Sequence, residues 1–123
     1  MGALVIFARD VSRLAAFYES VLSLNPFEDS WGGIRLLDDK EEILIHPIPK
    51  AIAKTIDIQT PPRARENTAI KPVFNVVSLS ACLEEVQRRG GVVTDQTFSL
   101  DGLTRHDVLD PEGNVVQLRS REI

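Results

Sequence analysis

Two histidines, one cysteine and a few amides and cations are the side chains of this sequence with chemistry to offer, and their neighbours decide how each can be used. His46 lies in a strand-like run, Glu42 to Ile48. Alternation sends Ile43 and Ile45 to one face and Leu44, His46 and Ile48 to the other. On an open sheet face His46 is the one candidate general base of the chain. Turned to the backbone, it is a structural hydrogen-bonder. His106 precedes Asp107, and strand neighbours point opposite ways, so these two form no dyad on one face. Gln117 sits between Val116 and Leu118. If those two pack against a helix, Val115, Gln117 and Arg119 share the open face. The same alternation adds Val5 and Phe7 from Leu4 to Ala8, and Val73 and Asn75 from Val73 to Val77. Lys71 either ends a strand in solvent or points inward, where its charge suits an anionic or oxygen-rich ligand. The candidate ligand-binding residues are therefore Phe7, His46, Lys71, Asn75, Gln117 and Arg119. Trp31, beside Gly32 and Gly33, reads as a lid, a dimer contact or a core anchor. The facing of Arg35 and of His106 is left open.

These side chains need elements to hold them, and the elements occur twice. The run "ALVIF" leads to Asp10, an amphipathic helix and further strands. "KPVFNVV" then leads to Ser78, a second helix and further strands. Ser78 follows Asp10 by 68 residues. Asp10 is a good N-cap, and Leu14, Phe17, Tyr18, Val21 and Leu22 follow at helical spacing until Asn25-Pro26 ends the segment. The second helix starts at Ser78 or Ser80. Its stripe is Leu79, Cys82, Leu83 and Val86, and Gly90-Gly91 provides the exit. Strands are predicted over Leu4 to Ala8, Ile34 to Leu37, Glu42 to Ile48, Val73 to Val77, Val92 to Thr97, Leu103 to Leu109 and Val115 to Arg119. Turns fall at Asp38-Asp39-Lys40 and at Asp110 to Asn114. Each half reads as strand, helix and three strands, an α+β architecture with helices on one sheet face. The expectation is one domain, 1–123, with pseudo-repeat halves 1–60 and 69–123, whose sheets curve together into a cup.

The bulk composition narrows the function classes. With 123 residues and 43% hydrophobic content, the chain can build one proper core. A formal net charge of −4 argues against nucleic acid as a partner. The short pairs Arg63 and Arg65, and Arg88 and Arg89, read as solvated surface. No apolar run is long enough to span a membrane, and the expected location is the cytoplasm. The single cysteine, Cys82, excludes an internal disulfide and a cysteine-based zinc site; on the apolar helix stripe it reads as a buried structural thiol.

Three stretches, "ARDVSRLAAFYESVLSL", "VFNVVSLSACLEEVQRRGG" and "DPEGNVVQL", carry a resemblance. In this order and spacing they are similar to the vicinal-oxygen-chelate superfamily, which includes glyoxalase I, bleomycin-resistance proteins and extradiol dioxygenases. The resemblance covers residues 3–119. It implies paired βαβββ modules, a cup-shaped site and a homodimer.

It also implies a divalent metal held by His, Gln or Glu on the first and last strands of each module. Seven residues before Asp10 is Ala3, and the 68-residue offset carries that position to Lys71. Seven residues after Asp110 is Gln117, and the last-strand position of the first half falls on His46. Alanine cannot ligate, and a protonated lysine has no lone pair and repels a cation. The usual metal centre is therefore expected to be missing and no cofactor is predicted. The leading reading is a small-molecule-binding protein of this superfamily. The alternatives are a divalent-metal-dependent lyase, isomerase or dioxygenase of glyoxalase type, with His46 as base, and a structural dimer with a filled cup.

Overall fold

The computed structural model of the protein describes residues 2–65 and 69–121. The chain divides into two compact units, Met1–Asp57 and Ile58–Ile123. The first unit runs β1 (Leu4–Ala8), α1 (Val11–Leu22), β2 (Asn25–Glu28), β3 (Ile34–Leu37), β4 (Glu42–Pro47) and a single-turn α2 (Lys50–Ala53). The second runs β5 (Val73–Asn75), α3 (Leu79–Arg88), β6 (Val92–Leu100), β7 (Leu103–Leu109) and β8 (Val115–Ser120). The sheets share one topology, β1-β4-β3-β2 and β5-β8-β7-β6. In each, the first and last strands pair in parallel and the other pairs are antiparallel. The α+β class and the repeated βαβββ pattern expected from the sequence are both present.

The repeat is enforced by matching local chemistry. Asp10 caps α1 by accepting the Arg13 backbone N–H at 3.1 Å, and Ser78 caps α3 by accepting that of Ala81 at 3.3 Å. Each cap satisfies a backbone donor that the helix itself leaves unpaired. Ser78, not Ser80, is thus the start of the second helix. Gly90 takes the left-handed conformation, φ 87°, and the Gly91 N–H closes on the Val86 carbonyl at 2.8 Å. The first helix stops earlier than Asn25-Pro26 suggested. Ser23 adopts the left-handed conformation after Leu22, and Asn25-Pro26 opens β2.

The two long helices, α1 and α3, each pack on one face of their own sheet. Leu14, Phe17, Leu36, Ile43 and Ile45 are fully buried in the first unit, and Val86, Val108, Val116 and Leu118 are buried in the second. Ile43 and Ile45 therefore face the helix, as alternation required. The turn at Asp110 is held by its own carboxylate, which accepts the backbone N–H of Glu112 and Asn114 and the Asn114 amide. A side chain at Gly113, φ 84°, would fall on the Arg63 carbonyl. Arg65 corrects the expectation of a solvated pair. It is half-buried, its Nε donates to the Glu112 carbonyl at 3.0 Å, and its guanidinium pairs with the Glu112 carboxylate at 3.6 Å.

Candidate functional site

Strand pairing defines which side chains share the face opposite each helix, because residues paired across a ladder point the same way. In the first unit Val5 pairs with Leu44 and Phe7 with His46 across β1 and β4. Leu44 pairs in turn with Arg35, and Arg35 with Phe27. The open face is thus Val5, Phe7, Leu44, His46, Arg35 and Phe27. It is mostly apolar and aromatic, with Phe7 57% and Phe27 53% exposed. The Phe7 and His46 rings lie 5.5 Å apart between centroids at an interplanar angle of 59°. His46 Nδ1 is 2.9 Å from the Pro47 carbonyl. A carbonyl only accepts, so Nδ1 carries the proton and, in the neutral ring, Nε2 presents a lone pair. Arg35 pairs with Glu42 at 3.2 Å. Trp31 is 77% exposed in the β2–β3 turn, so it is not a core anchor. That turn is tied by Asp29, which accepts the backbone N–H of Trp31 and Gly33, each at 2.8 Å.

The second unit builds the same surface from opposite materials. Across β5, β8 and β7, Val73 pairs with Gln117 and Gln117 with Asp107; Asn75 pairs with Arg119 and Arg119 with Arg105. These polar residues form a connected series. Lys71 Nζ lies 2.6 Å from Asp107 Oδ2, and Gln117 Nε2 donates to Asp107 Oδ1 at 3.1 Å. Arg105 Nη1 donates to Gln117 Oε1 at 3.1 Å. Asp107 and Gln117 are buried. Beside the series, Arg119 Nε donates to Asn75 Oδ1 at 2.6 Å. Both ends of the Gln117 amide are engaged, so its orientation is set by a carboxylate on one side and a guanidinium on the other. Lys71 combines features of both its sequence readings: its side chain is 46% exposed, and its ammonium pairs with the buried Asp107. His106 lies on the helix-facing side, paired with Leu118, and its Nε2 is 2.6 Å from the Thr94 carbonyl. His106 and Asp107 indeed face opposite ways.

Register also revises one position implied by the resemblance. Val5 and Val73 are equivalent by the 68-residue offset, and their parallel partners are Leu44 and Gln117. The first-unit counterpart of Gln117 is therefore Leu44. His46 corresponds to Arg119 instead. The four positions that would face a metal become Ala3, Leu44, Lys71 and Gln117. Two have no donor atom, one is a cation in an ion pair, and one is a neutral amide already bonded at both ends. This set does not fit a divalent ion, which needs several deprotonated or lone-pair ligands converging on one point. Among the described residues, no group of three or more His, Cys, Asp or Glu could hold a metal ion.

Asp107 is the residue that sequence reading missed on this face. Val108 and Leu109 are consecutive apolar residues, so alternation along β7 could be anchored on either parity until pairing put Val108 on the buried side with Val116. A pocket of about 360 Å³ opens beside Asn75 and Arg119, lined also by Val76, Val77, Leu103, Ser120 and Arg121. Cys82 is half-buried on α3, and burial pushes its thiol pKa up. That keeps it protonated and unreactive, in line with a structural thiol.

No protein-family model matches the sequence, and no curated protein matches it. Solved structures do match its fold. A glyoxalase/bleomycin resistance protein from Albidiferax ferrireducens T118 superposes with a TM-score of 0.71 at 14% identity, covering 98% of both chains. A glyoxalase/bleomycin resistance protein/dioxygenase family enzyme from Burkholderia phytofirmans PsJN gives 0.70 at 17% identity, over 96% of both chains. The fosfomycin resistance protein FosX from Mesorhizobium loti gives 0.69 at 12% identity, covering 98% of this chain and 90% of its own. The chain has the fold of the glyoxalase/bleomycin-resistance/dioxygenase proteins, the vicinal-oxygen-chelate fold that its sequence resembles. No helix among the described residues is long and apolar enough to cross a membrane.

Proposed function

We propose that this protein binds a small molecule through the open faces of its sheets and does so without the divalent metal that the resemblance implies. The observation that carries this reading is the identity of Ala3, Leu44, Lys71 and Gln117 at the four register-equivalent positions. Lys71, which pairs with Asp107, supports the reading in particular, because a protonated lysine offers a cation no lone pair. Sharing a fold with a bleomycin resistance protein and a fosfomycin resistance protein supports a small-molecule role. The aromatic Phe7–His46 contact and the polar Lys71–Asp107–Gln117–Arg105 series are surfaces of the two kinds from which ligand sites are made. The protein is read as a cytoplasmic homodimer.

Metal analysis of the purified protein tests the reading, followed by nickel and manganese titration after chelation. The expected result is less than stoichiometric metal and no saturable uptake. Stoichiometric metal that is lost on substituting His46 and Gln117 would instead favour the glyoxalase-type enzyme.

A further inference from the structure

We infer that the far end of the second unit's open face is an oxyanion site, built by Arg105, Arg119 and Arg121, that takes the acidic group of a small organic molecule. The inference deepens the small-molecule reading by naming the ligand's chemistry. Arg119 and Arg121 line a pocket there, and Arg105 stands beside them on the neighbouring strand. Arg105 and Arg119 are direct partners across β7 and β8. Like charges placed opposite one another repel, so the pairing is unfavourable unless something neutralises it. Arg121 follows the end of β8 and lines the same pocket as Arg119. Among the described residues, none of the three has a carboxylate within ion-pair distance. Asp107, the carboxylate paired with Gln117 across β7 and β8, is taken by Lys71 and Gln117.

The donors are also positioned and unsatisfied. Asn75 Oδ1 holds Arg119 by its Nε at 2.6 Å, which leaves the two terminal nitrogens without a partner among the described residues. Arg105 is held through Nη1 by Gln117 at 3.1 Å, while its Nε is buried and has no hydrogen-bond partner. A buried donor without an acceptor is costly, and such a group calls for a bound one. Guanidinium forks match the paired oxygens of carboxylate and phosphate. The about 360 Å³ pocket at this corner joins Asn75, Arg119 and Arg121 to Val76, Val77 and Leu103. Its walls therefore offer apolar surface next to cationic surface. That combination fits an acidic group carried on an apolar body better than a free inorganic ion. Gly102, φ 74°, borders the Arg121 guanidinium, with Arg121 Nη1 3.5 Å from where a β-carbon would stand.

Titration of the full-length protein with phenyl phosphate and, separately, inorganic phosphate tests the site. The readouts are heat and the arginine Nε–H resonances, in low-salt buffer, on chelated and nickel-supplemented samples. Phenyl phosphate should bind saturably without nickel, shift the Arg105 and Arg119 signals and outcompete inorganic phosphate. Arg119→Gln should weaken it by about tenfold, the loss of one charge-assisted hydrogen-bond pair. Arg121→Gln, at an exposed position where folding is not at stake, should weaken it as well, and Arg88→Gln on α3 should not. Equal affinity for the two phosphates, or binding untouched by both Arg119→Gln and Arg121→Gln, would overturn the inference. Binding that requires nickel and ignores the arginine changes would contradict the metal-free reading along with the site. No binding in either sample would overturn the site and leave the metal-free reading standing.

Discussion

The two units share strand order, parallel and antiparallel pairing, helix placement and cap chemistry, yet their open faces are opposites. Where the first unit pairs Phe7 with His46, the second pairs Asn75 with Arg119. Where the first pairs Val5 with Leu44, the second pairs Val73 with Gln117 and continues to Asp107. The helix-facing positions tell the reverse story, with Ile43, Ile45 and Leu36 matched by Val116, Leu118 and Val108 in chemistry and burial. The difference teaches that the fold rests on one side of each sheet. The other side is free to differ between the units, and in the second unit it carries charge.

The comparison breaks first at the helix-facing side. Phe17→Ala in the first unit and Leu118→Ala in the second should each destabilise the protein by about 3–5 and 2–5 kcal/mol respectively in urea unfolding, since both side chains are essentially inaccessible. A loss below about 1 kcal/mol at either position would mean the core does not lie where it is placed. Next in size is Asp107→Ala. It strands Lys71 and Gln117 together, and about 1–3 kcal/mol should be lost, less than for a fully enclosed pair because the Lys71 side chain is 46% exposed. Leu44→Ala in the first unit, at the counterpart of Gln117 and with no polar partner left behind, should unpair nothing. A double-mutant cycle of Lys71 and Asp107 that returned no coupling would dissolve the contrast between the faces.

Smaller again are the caps. Asp10→Ala and Ser78→Ala should cost about 1 kcal/mol each, and by similar amounts, if the repeat is structural rather than coincidental. Smallest is the thiol. Because burial raises the Cys82 pKa, the folded state holds its proton to higher pH than the unfolded chain does. Alkylation of native protein should therefore lag behind that of urea-unfolded protein at neutral pH. Stability should also decline as pH rises from the unfolded-state value of this thiol toward its folded one. A native alkylation rate equal to the unfolded rate would contradict that placement.

Much of this was legible in the sequence because caps and periodicity are local. Asp10, Ser78 and the stripes from Leu14 to Val21 and from Leu79 to Val86 announce the helices. β2 was missed because Asn25-Pro26 reads as a helix stop. All four of its residues are exposed, and proline is tolerated on an edge strand, so no alternation marks it. β6 runs on to Leu100 beyond the predicted Thr97 for a similar reason, since it too is an edge and its last residues are exposed. The choice between Leu44 and His46 was not legible at all. Both have the same parity, and only the parallel register of β1 against β4 separates them. Asp107 escaped because it is followed by two apolar residues, Val108 and Leu109, which fit either parity of its strand. The residues that recognise partners across a sheet depend on register, which is a property of two segments at once.

Crystals soaked in manganese, with anomalous differences collected at the metal edge, would test the central claim most directly. The account predicts no manganese peak bonded to side chains on either open face, and the Lys71–Asp107 pair intact. A fully occupied ion coordinated by Asp107, Gln117 or His46, with Lys71 turned away, would contradict it.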